Sequence, residues 1–340
     1  MKETVNMDNQ FLLDLHTHST ASDGKLSPAA LVRAAAAKGI STLAITDHDT
    51  ISGLAEAELE AQKLRLRLIH GVEIEINWQE FPPISTNFQA GAEDSGGMRR
   101  EFHLLGLGID RPTTEFLKLM EELRESRENR NLMIVKKMRE LGLPCDLDEI
   151  YALSGTSFIG RPHFAEYLVQ KKVVRNVESA FKKFLAKGEC LFIPRRGADF
   201  ERSLRLIKDS GGISVLAHPT TLYVSWGHMP GILQKLREAG LDGLEAWHPI
   251  TTVHESRRLL SLAQPLGLCI TAGSDFHGEG RRDRTLGLSS GNTKITSSLC
   301  DFSPLAGALD TFDGSLRELI AALVERVAVV PPHPVPTEGK

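Results

Sequence analysis

Cysteine is scarce in this 340-residue chain: Cys145, Cys190, Cys269 and Cys300 are the four it has, and no two form a Cys-x-x-Cys pair. A disulfide scaffold and a structural zinc knuckle are thereby excluded, and reduced thiols in a cytoplasmic protein are expected. Long apolar runs are missing too, so no bilayer-spanning helix is expected. The start, Met1-Lys2-Glu3-Thr4-Val5-Asn6, lacks the apolar segment of a signal peptide. Excess positive charge is absent, with a net charge of −4. That excludes a stable duplex nucleic-acid partner held by charge alone, and leaves room for a small or single-stranded substrate in a local basic pocket. Oligomeric state is not encoded in any motif. With cysteine removed from consideration, any metal must be held by His, Asp and Glu, a donor set that suits zinc, manganese or iron.

What the chain does have is short apolar runs alternating with helical patterns, the signature of βα units. Leu12–Leu15 reads as a strand. Pro28–Lys38 reads as a helix, with Ser27 as N-cap, Pro28 in the first position and Gly39 after its end. Strands follow at Leu43–Thr46, Arg67–Ile76 and Phe102–Leu107, with a helix over Thr50–Leu64. Residues 77–100 are polar and irregular, a loop long enough to expect a functional or mobile role. From Thr113 to Gly188 the pattern is helical only, beginning with a charged amphipathic stretch over Thr114–Leu141. Strands return at Gly212–Ala217, Leu241–Trp247 and Leu268–Ala272, and a last helix is expected over Leu316–Val327. The organisation expected is a barrel in two parts, 11–110 and 189–290, a helical cap insertion at 111–188, and 291–340 as a C-terminal helix with a disordered Pro-rich tail.

His16 and His18 follow the first strand two residues apart, a spacing that puts both side chains on one face of extended chain. Asp23 lies in the Ser-Asp-Gly turn just beyond. His48, Glu73, His103, His218, Asp275 and His277 likewise fall within or at the ends of apolar runs. In barrels of parallel strands the C-terminal strand ends meet at one face, which carries the active site. A single strand-end histidine is usually a hydrogen-bonded structural residue, but this many together point to a metal cluster. Their number exceeds the three or so protein ligands of one catalytic ion, so two or three divalent ions are implied. His70 is read as structural; His228, His254 and His333 receive no role.

The motifs Asp14-Leu15-His16-Thr17-His18-Ser19, Ile45-Thr46-Asp47-His48-Asp49-Thr50, Gly71-Val72-Glu73-Ile74, His103-Leu104-Leu105-Gly106-Leu107, Ile159-Gly160-Arg161-Pro162-His163, Leu216-Ala217-His218-Pro219 and Gly273-Ser274-Asp275-Phe276-His277-Gly278 occur in this order. Over residues 11–285 the chain resembles the polymerase and histidinol phosphatase (PHP) superfamily, in its nucleotide-phosphatase branch. The resemblance implies an α/β fold, a distorted (β/α)7 barrel with a helical cap and a trinuclear metal site. His16, His18, Glu73 and Asp275 would hold one ion, and Asp23, His48 and His277 a second. Glu73 as a bridge, His103 and His218 would hold the third. Carboxylate at Asp23, where other members have His, favours manganese or iron somewhat over zinc.

Substrate selection is then expected from the cap. Arg161 and His163 are the leading candidates, Arg195 could reach a second phosphate, and His248 stands at a strand end as a candidate contact. The activity implied is removal of the 3′-phosphate from nucleoside 3′,5′-bisphosphates, releasing AMP or another nucleoside 5′-monophosphate, with 5′→3′ exonuclease action on short RNA as a related capability. Histidinol-phosphate hydrolysis is the alternative among enzymes. A non-catalytic module supporting a polymerase is the alternative of another class, disfavoured because 340 residues leave no room for the polymerase.

Overall fold

The computed structural model describes residues 10–77, 101–156, 158–194, 197–279 and 283–327. The 78–100 loop, Arg195 and the Pro-rich tail lie outside these residues.

The chain begins with β1 (Leu12–Asp14), α1 (Pro28–Ala37), β2 (Ile40–Ile45), α2 (Leu54–Leu64), β3 (Arg67–Glu75) and β4 (His103–Leu107). Four helices follow: α3 (Thr114–Glu140), α4 (Leu147–Ser154), α5 (Arg161–Gln170) and α6 (Val177–Ala180). The rhythm of strand and helix then resumes with α7 (Phe200–Asp209), β5 (Ile213–Leu216), α8 (Met229–Glu238), β6 (Gly243–Trp247), α9 (Val253–Ala263) and β7 (Cys269–Ala272). A two-residue hairpin, β8 (Leu288–Ser289) and β9 (Thr293–Lys294), precedes α10 (Gly314–Val327). No helix among the described residues is long and apolar enough to cross a membrane.

The local signals act as the sequence suggests. Ser27 accepts a hydrogen bond from Ala30 N–H at 3.2 Å and opens α1, while Gly39 takes the left-handed φ of 77° that turns the chain into β2. β4 and β6 are buried along their whole length, as strands covered on both faces must be.

The main sheet has seven strands in sequence order, β1 to β7. It curls until its edges meet: Leu15 N–H donates to Ala272 O at 3.2 Å and His18 N–H to Phe276 O at 2.9 Å. Closure depends on Gly273, where a Cβ would lie 2.2 Å from the Cβ of His16. The fold is thus the expected distorted seven-stranded barrel. One strand departs from the all-parallel expectation: β4 is antiparallel to both β3 and β5. His103 therefore begins its strand instead of ending it, and the reversal is what brings it to the face where the parallel strands end.

The described residues form three apolar cores: a small one packs α1 and α2 on β2 through Leu31, Val32, Leu43 and Ala57, and the other two share α3. The barrel core includes Leu13, Ile69, Leu104, Val215, Leu244 and Ala272, and receives Leu316, Leu319 and Ile320 from α10. The cap has its own core of Ile134, Met138, Ile150, Phe164, Leu168 and Leu185. At about 1.5 Å per residue, the 27-residue α3 runs about 40 Å and belongs to both. Phe116, Leu119 and Leu123 enter the barrel core, whereas Ile134, Val135 and Met138 enter the cap core. On the stretch between them, Arg127, Arg130 and Asn131 are the buried residues.

Candidate metal centre

Nine side chains converge at the mouth of the barrel: His16, His18, Asp23, His48, Glu73, His103, His218, Asp275 and His277. Glu73, inside β3, is the hub. Its Oε1 lies 2.8 Å from His103 Nδ1 and 2.9 Å from His218 Nε2. Its Oε2 lies 3.0 Å from His48 Nδ1, 3.2 Å from His18 Nε2 and 3.4 Å from His16 Nε2. Asp275 Oδ1 stands 3.2 Å from His18 Nε2 and 3.5 Å from His16 Nε2. Asp23 Oδ1 is 3.3 Å from His277 Nε2 and 4.0 Å from His48 Nε2.

Two tests show that these residues fit metal ions. First, His16 Nε2, His18 Nε2, Asp23 Oδ1, His48 Nδ1 and Glu73 Oε2 are buried and have no hydrogen-bond partner. Leaving so many polar atoms unsatisfied in one place is costly unless something binds them. Second, two donors each about 2.1 Å from a shared ion stand roughly 3.0–3.4 Å apart in tetrahedral or octahedral geometry. The His-to-carboxylate separations among His16, His18, Glu73 and Asp275 run from 3.2 to 3.5 Å, close to that spacing, and His16, His18 and Asp275 offer donor atoms all within 4.8 Å of one another.

The rings are also aimed. A ligating imidazole needs its far nitrogen held by an acceptor, which fixes the tautomer. His16 Nδ1–H donates to Glu245 Oε1 at 3.0 Å, and His277 Nδ1–H to the Asp275 carbonyl at 2.7 Å. His218 Nδ1–H donates to Thr221 Oγ1 at 2.8 Å, whose own hydroxyl donates to Glu101 O. In each case Nε2 is left facing the cluster.

Backbone strain accompanies the arrangement. Asp49, His218 and Asp275 adopt φ of 53°, 27° and 50°, a region that non-glycine residues enter at a cost of about 1–3 kcal/mol.

Electrostatics favour bound cations. Burial would raise the carboxyls of Glu73, Asp23 and Asp275, but the surrounding histidines, with Arg284 beside Asp275, hold all three well below the ordinary range. Burial opposes charge on His16 and His18 as well. Glu245, Asp275 and Glu73 nevertheless raise His16 well above its usual value, and the adjacent carboxylates of Asp275 and Glu73 raise His18 to about 9. Burial lowers His48 well below its usual value.

A cavity of about 300 Å³ opens above the cluster. Its floor includes Asp23, His48, Glu73, His103, His218, Asp275 and His277, and its upper wall carries Arg127, Arg130, Phe158 and Arg161 from the cap. Arg127 pairs with Asp49, and its guanidinium carbon lies 3.5 Å from the Phe158 ring centre. Thr156 fastens the cap to the barrel by donating to Thr20 O at 2.8 Å and Ser22 O at 2.7 Å.

The four residues expected to touch substrate have different placements. Arg161 is on the cavity wall and donates to Leu185 O at 3.2 Å. His163 closes the N-terminus of α5, its Nδ1 accepting from Gly160 N–H at 3.0 Å. His248 is fully buried, with Nε2 3.2 Å from Asp275 Oδ2 and Nδ1 accepting from Ile250 N–H. Arg195 lies outside the described residues. His70, read as structural, bridges Glu58 and Asp110 away from the cluster.

Sequence reading missed the residues that hold the candidate ligands in place. Glu245 supports His16 and accepts His218 N–H at 2.8 Å. Asp47 accepts from Ser19 N–H and from the hydroxyls of Ser19 and Ser22. Asp14 accepts from Ser274 and Gly287 N–H, and burial raises its carboxyl to about 6. Arg284 pairs with Asp275. An acid within the apolar run Gly243–Trp247 was a usable signal, since a core strand has no other reason to hold one.

A carboxylate–imidazole floor under a basic wall, at the mouth of a seven-stranded barrel, defines a metal-centred hydrolase of phosphoric esters. The chain belongs to the PHP domain family, whose pattern matches residues 14–187. It is 34% identical to a 5′-3′ exoribonuclease of Haemophilus influenzae over 78% of this chain and 89% of that one. It is 29% identical to a 3′,5′-nucleoside bisphosphate phosphatase of Chromobacterium violaceum over 80% and 90% of the two chains. A solved amidohydrolase from the same organism, with bound sulfate and no metal, superposes with a TM-score of 0.69 at 26% identity, covering 91% of this chain and 96% of that one.

Proposed function

We propose that the protein hydrolyses the 3′-phosphoester of a nucleotide that also carries a 5′-phosphate. The simplest such substrate is a nucleoside 3′,5′-bisphosphate, which would yield the nucleoside 5′-monophosphate. A short 5′-phosphorylated RNA presents the same phosphorus to the same atoms, so successive 5′→3′ release of mononucleotides is the second activity of one site. The observation that carries this reading is the pairing of an acidic, metal-fitting floor with the cap guanidinium of Arg161 in one cavity of about 300 Å³. That volume is at the small end for ligand sites. Two anionic groups on one small substrate match two oppositely built walls. The relatives' activities, on RNA and on a bisphosphate nucleotide, support the same substrate class.

His16, His18, Glu73 and Asp275 would hold one divalent ion, Asp23, His48 and His277 a second, and Glu73 with His103 and His218 a third. Manganese, iron or zinc suits these donors. Bound there, the ions would supply charge neutralisation and an activated water at neutral pH. The chain's own residues do the rest. Glu245, Thr221 and the Asp275 carbonyl keep the imidazole lone pairs pointed inward. Phe158, its ring stacked 6.0 Å from that of His48, shields the floor from water on the cap side. Arg161 binds and orients the distal phosphate by charge-assisted hydrogen bonds. His163 and His248 act by positioning: one fixes the start of α5, the other braces Asp275. Arg195 remains assigned to the second phosphate. The cytoplasm, with its reduced thiols, is the proposed location, in keeping with the four free cysteines.

The test is phosphate and nucleotide release from adenosine 3′,5′-bisphosphate, AMP, histidinol phosphate and a 5′-phosphorylated hexaribonucleotide, each with manganese, iron or zinc. Turnover of the bisphosphate and the RNA well above AMP and histidinol phosphate is expected. Preference for histidinol phosphate, or no turnover with any metal, would overturn the proposal.

A further inference from the structure

Among the described residues, the cap meets the barrel mouth on the side of β1 and β2. Its described contacts there fall on the loops after β1 and β2, through Thr156 to Thr20 and Ser22, Arg127 to Asp49, and Phe158 to His48. The loops after β5 and β6 lie on the other side, and a second cavity of about 330 Å³ is found there. Its walls include Tyr223, Val224, Trp226, Met229 and Glu255.

Several features set this cavity apart from an ordinary surface dent. Tyr223 is 45% exposed, yet the chain holds it at a left-handed φ of 48°, a conformation unfavourable for a bulky residue. Trp226 packs on the barrel core and carries the Arg258 guanidinium 4.6 Å from its ring centre. The acid in the wall, Glu255, accepts hydrogen bonds from the N–H and hydroxyl of Thr252 and so serves as a helix cap. An aromatic surface with a guanidinium beside it is what sequence-tolerant stacking of nucleobases requires.

The platform is also tied to the metal centre. The turn Pro219–Leu222 leads straight from His218 to Tyr223, and Thr221 within it bonds the His218 ring and Glu101 O. Five residues of chain span at most about 18 Å, so Tyr223 is within two or three nucleotides' reach of the cluster.

We infer that Tyr223 and Trp226, with Arg258, form a stacking subsite for single-stranded RNA on the 3′ side of the scissile phosphate. This rests on the reading of the site as a 3′-phosphoesterase for 5′-phosphorylated nucleotides. A mononucleotide bisphosphate ends at the metal centre and does not reach the platform. A longer strand, its 5′ end under the cap, runs from the metal centre toward the loop after β5 and lays its next base on the exposed Tyr223 ring, with Trp226 and Arg258 forming the wall beside it.

The experiment compares wild-type enzyme with Tyr223→Ala and Tyr223→Phe on a 5′-phosphorylated hexaribonucleotide and on adenosine 3′,5′-bisphosphate. Tyr223→Ala is expected to lower kcat/KM for the hexanucleotide about tenfold, mainly through KM, and to change bisphosphate turnover less than twofold. Tyr223→Phe, which keeps the ring, restores hexanucleotide cleavage. Equal losses on both substrates, or none on the hexanucleotide, would overturn the subsite. Equilibrium binding of a fluorescently labelled hexanucleotide tests the platform independently of turnover. A fivefold or greater weakening in Tyr223→Ala supports the platform even if no phosphate is released from either substrate, and unchanged binding refutes it.

Discussion

Glu245 is the most informative residue to change, because it lies behind the cluster and orders two of the proposed ligands. It is fully buried in β6, with Oε1 on His16 Nδ1 at 3.0 Å and Oε2 accepting His218 N–H at 2.8 Å. Burial works against its charge, but the neighbouring His16 and His248 hold its carboxyl below the ordinary value, so it accepts both bonds as an anion. Hydrogen bonds to a charged group contribute about 1.5–3 kcal/mol each, and removing the acceptor strands two buried donors. Glu245→Ala should therefore cost about 3–5 kcal/mol of stability. Glu245→Gln is the sharper variant. It preserves volume, but its single carbonyl can serve only one donor, and its amide facing His16 would favour the tautomer with the proton on Nε2. That tautomer cannot ligate, so metal affinity should fall by about 10–100-fold, as is typical when the partner behind a ligand is lost. The assays are metal titration by calorimetry, bound metal by elemental analysis, urea unfolding, and the ¹⁵N shifts of the His16 ring. Wild-type metal affinity in Glu245→Gln, with an unaltered His16 tautomer, would refute the reasoning.

Four further outcomes are expected. Asp275→Ala and His18→Ala should each reduce turnover by more than about 100-fold, since loss of a ligand exceeds the effect of losing its support; near-normal rates in either would sink the ligand assignment. Arg161→Ala should weaken use of adenosine 3′,5′-bisphosphate by about 10–100-fold, the worth of one charged hydrogen-bonded contact, while sparing a simple aryl phosphate. Gly273→Ala should cost at least the roughly 1–3 kcal/mol of an overpacked core and displace His16, since its Cβ would lie 2.2 Å from His16 Cβ and 2.7 Å from Glu245 Oε1; unfolding curves and metal content check both. Finally, His18 is raised from 6.5 to about 9, so its stabilisation of the metal-free protein is complete below pH 6.5 and lost as pH rises to about 9, a change of about 3 kcal/mol. Metal binding needs the unprotonated ring, so the gap in Tm between metal-replete and chelator-treated protein should widen from pH 6.5 to 9; a narrowing gap would contradict the assignment.

The convergence of the candidate ligands could be anticipated from the chain, because metal chemistry demands particular side chains and barrels gather strand ends. His16-x-His18, Glu73 and Asp275-x-His277 stand next to apolar runs, and a barrel brings such ends together whatever its loops do. The supporting residues were harder to see. Arg127, Arg130 and Asn131 occupy the buried stripe of α3 between Leu123 and Ile134, but a charged helix offers many arginines, and the interruption of one stripe is a faint signal. Asp47 and Asp14 look like ordinary turn and strand residues until their acceptors are seen to meet N–H groups from distant segments.

The sequence alone determined the alternation of strand and helix, the helical character of the stretch after β4, and the donor types available to a metal, because these depend on local periodicity and on residue chemistry. Only the tertiary structure decided that β4 runs backwards and so delivers His103 to the cluster, that Glu245 and Thr221 set the histidine tautomers, and that His248 lies behind Asp275. Apart from the local Thr221–His218 bond, these are relations between segments tens to hundreds of residues apart, fixed by sheet pairing and close packing, and no local pattern carries them.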